Sequence, residues 1–161
     1  MRARPKADAM MQETILDQAV RESITARIRA LTPAHSAQWG KMDVAQMAEH
    51  CVLWNQWVMG KGGPRLTQNF IGKLIGKWAL RRTLRPGKPF DRGIPAGKDL
   101  EVRQATGDLE VMKLRWLALI DAYAAFNNPY FVHDFFGAMT DQEIGVFVYK
   151  HMDHHLRQFG V

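Results

Sequence analysis

The sequence predicts an all-α protein: a four-helix bundle with an inserted basic helix and a long loop between its second and third bundle helices. Three observations carry this expectation. Four long segments repeat apolar residues at a helical period, two of them open with capping boxes, and no segment shows the period-two alternation of a half-buried strand. The 161 residues, 47% hydrophobic and 24% charged, have the length and composition of one ordinary folded domain. Residues 12–161 are therefore assigned to a single domain and residues 1–11 to a flexible N-terminus.

Taking the elements in order, Ile15, Ala19, Ile24, Ile28 and Leu31 recur at helical spacing and predict a first helix over 12–31. Thr32-Pro33 closes it and is suited to start a short new turn. Asp43-Val44-Ala45-Gln46 reads as a capping box, in which the Asp43 carboxylate accepts from an early amide and Gln46 reaches back to the cap. The helix it opens carries the stripe Val44, Met47, Cys51, Trp54 and Val58 and stops at Gly60-Lys61-Gly62-Gly63-Pro64. Thr67 to Leu84 reads as a basic amphipathic helix, with Phe70, Leu74, Ile75 and Trp78 on one side and Lys73, Lys77 and Arg81 beside them. Gly72 and Gly76 weaken it.

From Arg85 to Gly97 the prolines and glycines exclude a regular element and predict a long irregular connection. A helix over 100–126 follows, patterned by Leu109, Met112, Trp116, Leu117, Ile120 and Tyr123 and ended by Asn127-Asn128-Pro129. After the aromatic loop Tyr130 to Gly137, Thr140-Asp141-Gln142-Glu143 forms a second capping box and opens the last helix.

Charge and cysteine content narrow the function classes. The N-terminal stretch Met1-Arg2-Ala3-Arg4-Pro5-Lys6 is charged where a signal peptide would be apolar, and no segment approaches membrane-spanning length, so a cytoplasmic protein without a transmembrane segment is expected. Cys51 is the only cysteine, which excludes an intrachain disulfide and a thiolate zinc cluster and leaves any metal to His, Asp or Glu. As a buried residue of the second helix it reads as an inert thiol. The net charge of +6 is concentrated between Lys61 and Arg103, where eleven Lys and Arg face Asp91, Asp99 and Glu101. Trp78 beside Lys77 and Arg81 gives this segment an alternative reading, a non-enzymatic module for nucleic acid or anionic surfaces. Nucleic acid is the lesser expectation, because basic amphipathic helices more often present a solvated face over a packed apolar stripe. No glycine loop for a nucleotide cofactor and no nucleophile beside its base is present.

The histidines carry the chemistry. On the last helix Ile144, Val148, Met152 and Phe159 define an apolar face, and His151 and His155 fall on its side of the wheel, one turn apart. His154 falls about 125° away and is expected at solvent or a helix edge. A single histidine on an apolar face is usually a hydrogen-bonded core residue. Two at i and i+4 are more readily explained by a divalent metal, which satisfies both rings at once. His50 lies on the flank of the second helix's stripe and, on its own, reads as a partly exposed polar residue. His35 and His133 read as solvated loop residues, His133 with a loop placed to reach the mouth of a bundle site, and Lys150 and Asp153 read as surface pairing. Arg157 is placed to pair with an acid on a neighbouring helix.

With these motifs in place, two stretches, Trp39-Gly40-Lys41-Met42 through Gln46-Met47-Ala48-Glu49-His50-Cys51, and Phe136-Gly137-Ala138-Met139-Thr140 followed by Tyr149-Lys150-His151-Met152-Asp153-His154-His155-Leu156-Arg157-Gln158-Phe159-Gly160, resemble the DinB-like superfamily of metalloenzymes, and within it a branch defined as a domain of unknown function. The resemblance covers the chain from about Leu31 onward. It implies a four-helix bundle with a histidine triad, one ligand from the second helix and two from the last, which here become His50, His151 and His155 holding zinc or nickel. It also implies a homodimer, a small-molecule substrate near the metal, and metal-dependent hydrolysis or transfer of a low-molecular-weight thiol as the candidate reactions, with a metal-free homodimer whose triad is vestigial as a further alternative. No catalytic residue is assigned: Glu49 and Asp153 adjoin ligands in sequence, but helix neighbours diverge by about 100°. The chain departs from the branch pattern at His133-Asp134, where His-Pro is common.

Overall fold

The computed structural model describes residues 12–62, 67–94, 97 and 100–161. The flexible N-terminus expected at 1–11 lies outside the described residues, as do Arg65, Lys98 and Asp99 of the basic segment. In chain order the helices are α1 (Gln18–Ala30), α2 (Val44–Val58), α3 (Phe70–Thr83), α4 (Leu109–Ala122) and α5 (Asp141–Gln158). A 3-10 turn (Tyr123–Ala125) extends α4, and β1 (Val132–His133) pairs antiparallel with β2 (Gly137–Ala138). Helices α1, α2, α4 and α5 pack as a closed ring, with α2 against α4 and α5, and α1 against the same two. The fold is an all-α helical bundle, and α3 lies outside the ring, seated on β2.

The two expected capping boxes are present. Asp43 Oδ1 accepts from the Gln46 amide at 2.8 Å while Gln46 Oε1 accepts from the Asp43 amide at 2.8 Å. Thr140 Oγ1 accepts from the Glu143 amide at 3.2 Å and Glu143 returns the bond at 2.9 Å. Side chains that satisfy free amides in this way pin the start of each helix. Asn69 and Asp108 cap α3 and α4 in the same role.

The bundle core is apolar, with Ile24, Ile28, Leu31, Met47, Trp116, Ile120, Met152 and Leu156 fully enclosed. One polar cluster crosses it. Asn55 donates to the Cys51 carbonyl at 2.7 Å, Tyr123 Oη donates to Asn55 Oδ1 at 2.9 Å, and Asn55 Nδ2 and Trp116 Nε1 both reach Met152 Sδ. The cluster ties α2, α4 and α5 together without a charge, which a dry interior tolerates only when each polar group is partnered. At the outer edge Arg27 bridges Asp153 at 2.9 Å and the Val161 carbonyl at 2.9 Å, joining α1 to α5. Buried Lys113 donates to the Leu31 carbonyl at 2.7 Å and closes the end of α1.

Four expectations change. The first helix begins at Gln18, because residues 14–17 form a turn in which the Ile15 amide donates to the Gly145 carbonyl of α5 at 3.1 Å. The fourth begins at Leu109, where Asp108 caps it. The aromatic loop contains a small two-stranded hairpin, short enough that no alternation precedes it. The apolar side chains of α3 face solvent: Phe70, Ile71, Leu74, Ile75 and Trp78 are all exposed, and the buried side consists of Gly72, Gly76 and Leu80.

The reason is steric. Both glycines lie against the Phe135 carbonyl, so closely that a Cβ at either would overlap it. Absence of side chains there lets the α3 backbone approach the hairpin. Gly76→Ala is therefore expected to lower stability to urea by about 1–3 kcal/mol through overpacking. Gly97→Ala, where a Cβ meets nothing within 4 Å among the described residues, is expected to stay within about 0.5 kcal/mol of wild type.

Candidate metal centre

His50 of α2 and His151 and His155 of α5 meet beside the bundle axis. All three are buried, and each offers one ligand nitrogen, these nitrogens lying within 4.8 Å of one another. His50 Nε2 and His151 Nε2 are 3.3 Å apart. Ring centroids are separated by 4.9 Å for His50 and His155 and 4.6 Å for His151 and His155. Two imidazole nitrogens bound tetrahedrally to one zinc-sized ion would be about 3.4 Å apart, given metal–nitrogen bonds of about 2.0–2.1 Å. The observed pair has that spacing.

The tautomers follow from the outer partners. His50 Nδ1 donates to the Leu100 carbonyl at 2.8 Å, which leaves a lone pair on Nε2. His155 Nδ1 donates to Gln158 Oε1 at 3.0 Å and likewise keeps its Nε2 free. Gln158 is itself oriented, because its Nε2 donates to the Trp39 carbonyl at 2.6 Å. His151 stacks on Trp54 with ring centroids 4.0 Å apart and planes 12° from parallel, and its buried Nδ1 has no hydrogen-bond partner among the described residues. A nitrogen lone pair facing another ring nitrogen at 3.3 Å calls for a proton or a cation at the shared point.

A second proton on any of the three rings is disfavoured. Burial holds His50 below the usual imidazole range, against the opposing effect of the Leu100 carbonyl. Burial, and then the neighbouring histidines, hold His151 well below it. Burial, with His50 next in effect, takes His155 down to about 3. All three rings are therefore neutral near pH 7, the form that ligates metal. The cluster has the donor chemistry and spacing to hold a metal ion.

The triad sits on the floor of a cavity of about 1050 Å³. Trp54, Trp57, Phe90, Phe136 and Phe147 form aromatic parts of its wall, and charged residues of both signs, among them Lys41, Arg103, Asp91 and Glu101, also line it. Arg92 stacks over Trp39 at 3.9 Å from the ring centre, and Trp39 meets the edge of His154 at 5.6 Å.

All three predicted site residues are brought together, with several corrections around them. His50 is buried and not a partly exposed flank residue. The side of α2 bearing His50, Trp54 and Trp57 faces the cavity and is covered by residues of the 85–103 connection, which a helical wheel of α2 alone does not contain. His154, expected at solvent or a helix edge, is half-buried and lines the cavity. His133 is packed against Trp57, Phe136 and Phe147 rather than solvated, and its Nδ1 accepts from the Phe135 amide at 3.1 Å. Lys150 is buried and donates to the Arg85 and Lys88 carbonyls at 2.7 and 2.5 Å, which holds the loop onto α5. Asp153 is likewise buried between Arg27 and Arg157, so Arg157 pairs within its own helix. Cys51 is fully enclosed, with its thiol pushed up by burial, as an inert core residue would be.

Gln158 was not singled out by the sequence reading. Its position three residues after His155 puts both on one helix face, and that spacing was the available signal. The Leu100 and Trp39 carbonyls had no signal, since any residue type supplies one.

A bundle whose second and last helices converge three neutral histidines on a cavity defines a class, helical proteins with an open three-histidine centre. Residues 10–160 match the family described as Protein of unknown function (DUF1569), and the chain belongs to that family. No curated protein and no solved structure matched the chain.

Burial also holds His133 down to about 4, against the opposing effect of Asp134. Because the unfolded chain takes up this proton near pH 6.5 and the folded chain does not, stability is full above pH 6.5 and is lost as pH falls toward 4. Between pH 6.5 and 5 the loss from this residue alone should be about 2 kcal/mol. His133→Gln is expected to flatten the dependence of the unfolding midpoint on pH over that interval, as followed by circular dichroism.

Proposed function

We propose that the protein is a metal-dependent enzyme of the DinB-like type, in which His50, His151 and His155 hold one divalent ion, zinc or nickel, beneath a cavity that admits a small-molecule substrate. The observation that carries this reading is the convergence of three buried, neutral imidazoles, two with tautomers set by outer partners, at the floor of that cavity. Three protein ligands leave a coordination position open, as in catalytic rather than closed structural sites. Bound there, the ion supplies Lewis acidity and eases ionisation of whatever group takes the open position, which suits hydrolysis or thiol transfer.

The chain's own residues do the remaining work. The Leu100 carbonyl and Gln158 orient His50 and His155, and outer partners of this kind keep ligand rings in the binding tautomer. Trp54 fixes the plane of His151. The aromatic walls exclude water and receive the apolar part of a substrate. Glu49 is engaged by the Thr106 amide at 2.7 Å and hydroxyl at 2.5 Å, and Asp153 by two arginines, so neither is free to act as a general base.

Elemental analysis of protein purified without an affinity tag tests the reading. About one equivalent of zinc or nickel per chain is expected after loading near neutral pH, and less than about a tenth of an equivalent would sink it. His50→Ala, His151→Ala and His155→Ala should each abolish retention, whereas His154→Ala should keep it. Gln158→Leu, which removes the His155 partner, is expected to weaken metal affinity by roughly 10–100-fold without unfolding the bundle.

A further inference from the structure

The exposed side of α3 has no counterpart elsewhere in the described chain. Phe70, Ile71, Leu74, Ile75 and Trp78 are 76%, 60%, 70%, 46% and 62% exposed. Their spacing places them within an arc of about 140°, opposite the Gly72, Gly76 and Leu80 face that seats on the hairpin. Monomeric proteins seldom leave a contiguous apolar patch of this kind uncovered.

Cations frame the patch. Lys73 and Lys77 run along one flank, Arg81 and Arg82 close its C-terminal end, and the helix contains no acid. Arg82 reaches over the Trp78 ring, 5.9 Å from its centre. Lys77 pairs with Glu143 at 3.9 Å, while Lys73 and Arg81 have no acidic partner among the described residues.

We infer that this face of α3 docks on an anionic lipid surface. A short helix with aromatic and aliphatic side chains on one face and Lys and Arg along its margins lies in the plane of a membrane. There its apolar side enters the boundary between headgroups and acyl chains, and its cations meet headgroup phosphates. Tryptophan favours that same interface. At 14 residues α3 is about 21 Å long, too short to cross a bilayer. A second copy of the chain fits less well, since pairing two such faces would bring Lys73, Lys77 and Arg81 of one near the same cations of the other. Nucleic acid satisfies the cations but leaves Ile71, Leu74 and Ile75 without an apolar environment.

The test is sedimentation of the full chain with vesicles of phosphatidylcholine and phosphatidylglycerol at about 0.1 M salt, against pure phosphatidylcholine vesicles. Binding to the anionic vesicles is expected, at least tenfold weaker to the neutral ones, with a blue shift of tryptophan emission that Trp78→Ala removes. Ile71→Asp combined with Leu74→Asp should reduce binding at least tenfold, as should Lys73→Glu combined with Arg81→Glu, with far-ultraviolet circular dichroism unchanged because these side chains are solvent-exposed. Absence of vesicle binding at low salt overturns the inference, as does equal binding by both double variants. So does a dimer that Leu74→Asp dissociates, or nucleic-acid binding lost with the same variants while vesicles remain unbound.

Discussion

Each buried imidazole has two nitrogens to satisfy where little water reaches, and the arrangement around the triad answers that requirement one atom at a time. Leu100 supplies a carbonyl to His50, Gln158 supplies an amide oxygen to His155, and Trp39 in turn holds Gln158. The inner nitrogens of His50 and His151 are left facing one another, in surroundings that hold both rings neutral. Segments with no regular structure are thereby ordered. The connection after α3 contributes Leu100 to His50 and the Arg85 and Lys88 carbonyls to Lys150, so its backbone follows the polar atoms of the two helices that bear the histidines.

The layout of the bundle was readable because the relevant signals are local. Capping boxes at Asp43 and Thr140 depend on side chains three residues apart, and the phase of His151 and His155 depends on a single helix wheel. What escaped was whatever another segment decides. His50 reads as a flank residue on α2 alone, and its contacts with Leu100, His151 and His155 turn that flank inward. Lys150 and Asp153 carry charges that usually signal solvent, but the Arg85 and Lys88 carbonyls and the Arg27 guanidinium that enclose them come from distant chain. The start of the fourth helix differs for the opposite reason: Leu100 is apolar and buried, yet it belongs to the connection that His50 anchors and not to α4.

The third helix inverts the usual relation between pattern and burial. Amphipathic periodicity identifies a helix correctly and says that one face differs from the other, without saying which faces the protein. Here Gly72 and Gly76 decide, because the Phe135 carbonyl occupies the space that side chains would need. The residues that argued against a helix are the ones that fix how it is mounted. Its seat is the hairpin whose neighbours Phe135 and Phe136 also line the cavity, so α3 and the cavity wall share one foundation.

The capping boxes have a further consequence for how the chain can vary in length. Asp43 stands about two helical turns before His50, and Thr140 about three before His151. Since each box fixes where its helix begins, one residue inserted between box and histidine would swing the ring by about 100° and out of the cluster. Both stretches are rulers in which residue number matters as much as residue type. Gly93, where an added Cβ would meet nothing among the described residues, lies between Lys88 and Leu100 in a stretch under no such count. Drift in chain length should therefore gather in the connection after α3, leaving the two ruled intervals intact.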